Sequence, residues 1–437
     1  MQLTSSLRVA ADIPRLWRHP RASRNRIIAF QTRRLQELVR HAYDNVPYYR
    51  RLFDEAGIAP DDIRELGDIE RIPITTKATL QALGGSDMLA RGFSPSNLVA
   101  RETNGSTGVP VVVYRQRFEQ LVPALFLWRV RRELGLRRRL RVTFLTRFGH
   151  AKSPSLVSRV RSRLKRAAGI QSWTLVECTA PMEQVALHVK ESNPDIIGGY
   201  AGVLSRLARE LGEDQTEIRP RLILSVAEVL TPAMRAGIEK TFKAPVRDIY
   251  ACYELGLIAS ECAHGGTYHV CDDNVIVEVR DDDGSGIGEL IGTSLHFAAM
   301  PVIRYQLGDI VTRGPAYCGC GSPFNTLSSI QGRMNDYFPL PDGRQLHPYQ
   351  IGTAVWTAAF EWMYQYQVVQ ETCNRVVMRI VPRRIPADDE VAAVARAVGE
   401  VLGPAVELVV NLVDDIHDEI NGKYRIYRSL IKREQDD

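Results

Sequence analysis

Residues 103–110 read Thr-Asn-Gly-Ser-Thr-Gly-Val-Pro, with two glycines, three hydroxyl side chains and no charge. Such a run can turn several backbone N–H groups toward one anion. Glycine permits positive φ and close backbone approach, and the hydroxyls add donors. Phosphate is the usual guest of such a cradle. No Gly-Lys-Ser/Thr closes the run, so it is not a Walker-type loop. Taken alone, the stretch also fits a plain surface turn.

A second group of reactive residues lies further along. Five of the seven cysteines, Cys252, Cys262, Cys271, Cys318 and Cys320, fall within about 70 residues. Cys262, His269, Cys318 and Cys320 stand in two paired segments, Glu-Cys-Ala-His-Gly-Gly-Thr-Tyr-His and Tyr-Cys-Gly-Cys-Gly. Thiolate and imidazole are the preferred donors of structural Zn²⁺, at about 2.3 and 2.0 Å. Four such ligands close a tetrahedral site, which makes it structural rather than catalytic. His264 and Cys271 are alternative ligands, and reduced cysteines packed as small hydrophobes are the metal-free alternative.

These residues need elements to position them. Residues 26–57 have apolar spacing that predicts helix, broken at Pro47-Tyr48-Tyr49. Thr75 or Thr76 is placed to cap the helix that follows. Residues 141–146, 194–200, 221–230 and 245–256 read as strands, and Pro232 falls near the first position of a helix. Strands alternating with helices predict a layered α/β domain with mostly parallel strands. From 257 to 330 the pattern becomes hairpin-rich, with turns at Asp/Gly clusters. Residues from about 336 onward read as a small strand–helix–strand unit. The expected fold class is therefore α/β. It has a large N-terminal layered domain (1–333, with a β-rich segment at about 257–330) and a small mobile α+β lid at 336–437.

A chain of 437 residues is too long for one ordinary core. With 45% hydrophobic and 24% charged residues its composition is globular. No apolar run is long enough for a membrane span. The N-terminal residues lack the apolar core of a signal peptide, so a cytoplasmic protein is expected. The net charge of +5 is mild, but basic residues cluster at 129–141 and 159–166. That 129–166 block reads as a solvated helix face or as a dock for an acidic partner such as an acyl carrier protein. No nucleic-acid motif accompanies it. Oligomeric state is open, with a homodimer among the options.

The segments together resemble the adenylate-forming superfamily, and within it the phenylacetate–CoA ligase-like branch. The resemblance covers nearly the whole chain. Leu35 to Ile58 resembles the branch's N-terminal helical signature, and Arg71 to Gln81 resembles the segment after it. Residues 103–110 are similar to the phosphate loop, and Ser225 to Pro232 to the motif lining the adenine and acyl site. Asp248 to Gly256 resembles the Tyr-Gly-x-Ser/Thr-Glu motif. Residues 301–309, 330–336 and 421–430 follow in the expected order.

The resemblance implies a carboxylic acid, aryl or arylacetic, attacking the α-phosphate of ATP and then passing from AMP to coenzyme A. It implies nucleotide contacts from Thr103, Asn104, Gly105, Ser106, Thr107, Gly108, Ala227, Glu228, Asp248, Tyr250, Ala251, Tyr253, Asp309 and Arg333. Glu254 would hold Mg²⁺, Asp309 the ribose hydroxyls, and Lys423 the reacting carboxylate and α-phosphate. Tyr200, Ala201 and Gly202 would border the acid pocket. The sequence departs from the pattern at Val109 (usually Lys), Ala251 (Gly), Tyr253 (Ser or Thr) and Asn335 (Asp). These departures keep two other readings open. One transfers the acyl group to a carrier protein or amine, and the other is a degenerate ligand-binding relative.

Overall fold

The computed structural model describes residues 15–83, 87–102, 111–119, 121–136, 140–147, 172–212, 217–281, 284–333, 337–346, 348–359, 362–416 and 426–431. The expected phosphate loop, Asn335 and Lys423 lie outside the described residues.

In chain order the first half holds α1 (Arg24–Asn45), α2 (Pro47–Glu55), α3 (Lys77–Ala82), β1 (Val99–Glu102), β2 (Val112–Arg115) and α4 (Leu121–Glu133). Next come β3 (Arg141–Thr146), β4 (Ser172–Glu177), α5 (Met182–Ser192), β5 (Ile196–Tyr200), α6 (Ala201–Leu211), β6 (Leu222–Val226) and α7 (Pro232–Phe242). The β-rich segment holds β7 (Val246–Cys252), β8 (Gly256–Glu261), β9 (Tyr268–Val270), β10 (Val275–Arg280), β11 (Ile287–Ser294), β12 (Tyr305–Arg313) and β13 (Thr326–Arg333). The C-terminal part holds β14 (Phe338–Pro339), β15 (Gln345–Leu346), α8 (Pro348–Ala359), β16 (Met363–Thr372), β17 (Arg375–Pro382), α9 (Asp388–Leu402), β18 (Glu407–Leu412) and β19 (Tyr427–Ser429).

Compactness divides the chain into one unit of residues 1–138 and 247–330, and another of 139–246 and 331–437. In the first unit, strands run in the order β10-β11-β12-β13-β9-β8-β7. The pairings β10–β11, β11–β12, β13–β9, β9–β8 and β8–β7 are all antiparallel, as expected for a hairpin-rich segment. Pro47 does not end the helical stretch: it opens α2, where a missing N–H costs nothing. Thr76, rather than Thr75, caps α3 by accepting the Thr79 N–H.

In the second unit, β3 pairs in parallel with both β4 and β5, and β5 with β6. Helices α5, α6 and α7 supply Val189, Leu204, Leu207, Ile238 and Phe242 to its core. The C-terminal four-stranded sheet, ordered β18-β17-β16-β19, adds Val368, Met378 and Ile380 to the same core. The sequence reading of this part named two strands and one helix; β16 is a further strand it did not contain. Gln365, Gln367 and Gln370 interrupt its apolar pattern yet are buried, so periodicity alone hides it.

Candidate active site

The second unit assembles one set of expected site residues. Strand β6 ends at Val226, and Ala227 then adopts a left-handed backbone (φ 62°), uncommon for a residue with a Cβ. This turn aims Glu228 at the start of α6, where its Oε2 accepts the Gly202 N–H at 2.8 Å. Tyr200 gives α6 no side-chain cap, so Glu228 supplies one from a separate segment. Glu228, from the motif expected at the adenine site, thus reaches Gly202, expected to border the acid pocket. Strand β5 approaches them through Gly198 and Gly199. A Cβ at Gly198 would lie 2.4 Å from Phe144 Cδ2, and one at Gly199 3.0 Å from Leu145 Cβ. Only glycine lets β5 lie this close to β3 side chains.

The first unit brings together two motifs separated in sequence. The Tyr250 hydroxyl on β7 donates to Asp309 Oδ2 on β12 at 2.5 Å. Four residues upstream on β12, the Tyr305 hydroxyl donates to Glu254 Oε1 at 3.4 Å. Glu254 is buried. It sits in the turn after β7, beside Cys252, whose thiol is raised by burial and by the Glu254 charge. Glu254 thus has neutral side-chain neighbours, the Tyr305 hydroxyl and the Cys252 thiol, and a buried carboxylate of hard oxygens suits a cation such as Mg²⁺. Asp248 is engaged differently: its Oδ2 accepts the Tyr268 hydroxyl at 2.9 Å and its N–H bonds Glu261. Ala251 is exposed, and the Tyr253 side chain is 55% exposed. The tyrosine that replaces the usual small hydroxyl residue therefore points outward. Arg333 is the last residue of β13.

Cys262, His269, Cys318 and Cys320 also converge in the first unit, their ligand atoms all within 4.8 Å of one another. Cys262 and Cys318 sulfurs are 3.8 Å apart, and Cys320 Sγ lies 3.2 Å from His269 Nε2. Two thiolates bound to one tetrahedral zinc would sit about 3.8 Å apart, so the donor set and spacing fit. Burial lowers His269, favouring the neutral ring that ligates metal. Burial also pushes the Cys262 thiol up to about 12, so a cation is the natural means of keeping it ionised. His264 and Cys271 are not members of the cluster.

Two arginines of structural weight carry no motif and escaped sequence reasoning. Arg115, at the end of β2, is buried and donates to the consecutive backbone carbonyls of Tyr253 and Glu254. Arg129, on α4, donates to both oxygens of the fully buried Asp273 at 2.5 and 3.0 Å. His19 Nδ1 lies 3.0 Å from the same carboxylate. The expectation of a solvated or carrier-facing basic block fails at Arg129 and Arg131, which are both buried. Residues 137–139 and 159–166 of that block lie outside the described residues. The available signal was an arginine embedded in the apolar run Phe126-Leu127-Trp128 to Val130, with an Asp-Asp pair elsewhere to receive it.

Comparison with known proteins decides the family. The phenylacetate–coenzyme A ligase of Escherichia coli is 31% identical over 332 residues, covering 72% of this chain and 73% of its own. The chain belongs to the phenylacetate–CoA ligase family. A second member, from Thermus thermophilus, is 28% identical over 79% of this chain and 78% of its own. Residues 340–430 match the CapK C-terminal domain family. A crystal structure of 2-hydroxyisobutyryl-CoA ligase in the postadenylation state has the same fold, with a TM-score of 0.78 at 18% identity. It covers 96% of this chain and 92% of that one. Among the described residues no helix is long and apolar enough to cross a membrane.

Proposed function

We propose that the chain is an AMP-forming acid–thiol ligase that activates an aryl or arylacetic acid with ATP and passes it to coenzyme A. The observation that supports this most directly is the meeting of two family motifs on β7 and β12. The pairs Tyr250–Asp309 and Glu254–Tyr305 span 59 and 51 residues of sequence.

In the first step a carboxylate oxygen forms a bond to the α-phosphorus. The bond to the β-phosphate oxygen breaks, and pyrophosphate leaves with the electron pair. Both reactants are anions, so the site must neutralise charge and hold them in line. Lys423 supplies a cation to the reacting carboxylate and α-phosphate. The 103–108 loop receives the β- and γ-phosphates, and Asp309 takes the ribose hydroxyls. Glu254 holds Mg²⁺, which offsets triphosphate charge when bound. Ala227, Glu228 and Arg333 border the nucleotide, and Tyr200 to Gly202 the acid. In the second step the thiol sulfur bonds the acyl carbon, AMP leaves with the electrons of the C–O bond, and the thiol proton passes to solvent. Zinc on Cys262, His269, Cys318 and Cys320 staples the β8–β9 turn to the 318–320 knuckle and takes no part in either step.

The test is pyrophosphate exchange with ATP, Mg²⁺ and a panel of aryl, arylacetic, aliphatic and amino acids, followed by thioester formation with coenzyme A. Exchange with an aryl or arylacetic acid, lost in Lys423→Ala, is expected. Absence of both exchange and ATP binding across the panel would overturn the reading.

A further inference from the structure

The Arg115 guanidinium is enclosed at a point where three chain segments meet. One terminal nitrogen donates to the carbonyls of Tyr114 and Met300 at 3.1 and 3.3 Å. The other donates to the carbonyls of Tyr253 and Glu254 at 3.1 and 2.7 Å. Its carbon sits 3.7 Å from the centroid of the Phe297 ring. Among the described residues no carboxylate lies within ion-pair distance of it. A full charge is thus buried on neutral acceptors, an arrangement that is costly unless the charge is used.

The planar fork explains the choice of arginine. One nitrogen holds the Tyr253–Glu254 turn and the other holds the Tyr114 and Met300 carbonyls, so the fork ties three segments together while stacking on an aromatic face, which a single ammonium nitrogen cannot do. The turn it grips is the one that presents Glu254. Nearby, Glu119 fixes the other wall, accepting the N–H groups of Ala298 and Gln116 at 2.7 and 2.8 Å. Burial lowers Arg115 to about 10, opposed by the charges of Glu119 and Glu254, so the group stays cationic at neutral pH. Strand β2, which ends in Arg115, directly follows the 103–110 segment in sequence.

We infer that Arg115 is a positioning residue for the metal-binding carboxylate of Glu254, acting through the backbone of the Tyr253–Glu254 turn. This inference rests on the proposed role of Glu254. Arg115 itself touches neither substrate nor metal. It fixes the direction of the carboxylate and adds positive potential behind it.

The experiment compares wild type, Arg115→Lys and Arg115→Met in the full chain. ATP affinity is measured by calorimetry with and without Mg²⁺, and Mn²⁺ binding by paramagnetic resonance. Arg115→Lys keeps the charge but loses the fork. The metal-dependent gain in ATP affinity is expected to fall about tenfold, the scale for groups that orient a ligand from behind. Metal-free ATP affinity and the KM for the acid stay near wild type. A folded Arg115→Lys protein with the wild-type metal-dependent gain overturns the inference. So does loss of the fold in both variants, since the residue would then be purely structural. A wild-type protein that binds no ATP refutes the proposed function itself.

Discussion

Removing the Arg129 guanidinium should destabilise the protein far more than a surface charge would. In Arg129→Met the apolar stem survives, and the ring contacts to Phe126 and Phe324 are largely replaced by thioether packing. What is lost is the pairing of Asp273, which is fully buried and receives two Arg129 donors and His19. Deleting one partner of a buried pair costs about 3–5 kcal/mol, because the other charge stays without compensation. In a unit of this size each kcal/mol lowers Tm by about 2–4 °C, so a fall of about 10 °C is expected. Thermal unfolding followed by circular dichroism measures it.

The pH dependence fixes the mechanism. Burial alone would raise Asp273, but the Arg129 charge and the His19 bond outweigh it and hold the carboxyl below its usual value. A depressed carboxyl adds stability above its unfolded pKa of about 3.9 and loses it as pH falls toward the lower folded value. The Tm gap between wild type and Arg129→Met should therefore narrow as pH drops below about 4. Asp272, raised by burial that Arg24 only partly offsets, shifts the other way in both proteins and cancels in the difference. Replacing both partners, as Arg129→Met with Asp273→Leu, should recover much of the loss. A Tm change in Arg129→Met no larger than that of an exposed arginine, or a gap independent of pH, would refute the reasoning.

Two further outcomes follow from the site. Metal analysis should find about one zinc per chain, as four closed ligands require, and Cys320→Ser should lose most of it. A strong chelator should then lower the Tm of wild type but leave that of Cys320→Ser unmoved. Asp309→Asn keeps an acceptor for Tyr250 but removes the charge proposed to face the ribose. The KM for ATP should rise by about tenfold, the value of one charge-assisted hydrogen bond. The preference for ATP over 3′-deoxy-ATP should shrink with it, and an undiminished preference would remove Asp309 from the ribose site.

Local signals survived the passage to three dimensions because their physics is local. The α/β alternation shows in runs of a few residues, and parallel pairing of β3 to β6 follows from it. Thr76 caps its helix through a neighbour three residues away. The Cys/His quartet was legible because ligand chemistry belongs to the residue types, whatever brings them together.

Tertiary structure alone decided which charges are internal. Nothing in Arg-Val-Arg-Arg separates a solvated arginine from one buried on Asp273, 144 residues away. Nor does Val-Tyr-Arg-Gln announce a guanidinium that grips a turn 139 residues further on. The cost of burying a charge is set by partners distant in sequence, and no short window contains them. For the same reason the motif letters named Glu254 and Asp309, but only folding showed Tyr305 and Tyr250 reaching them from the opposite strands.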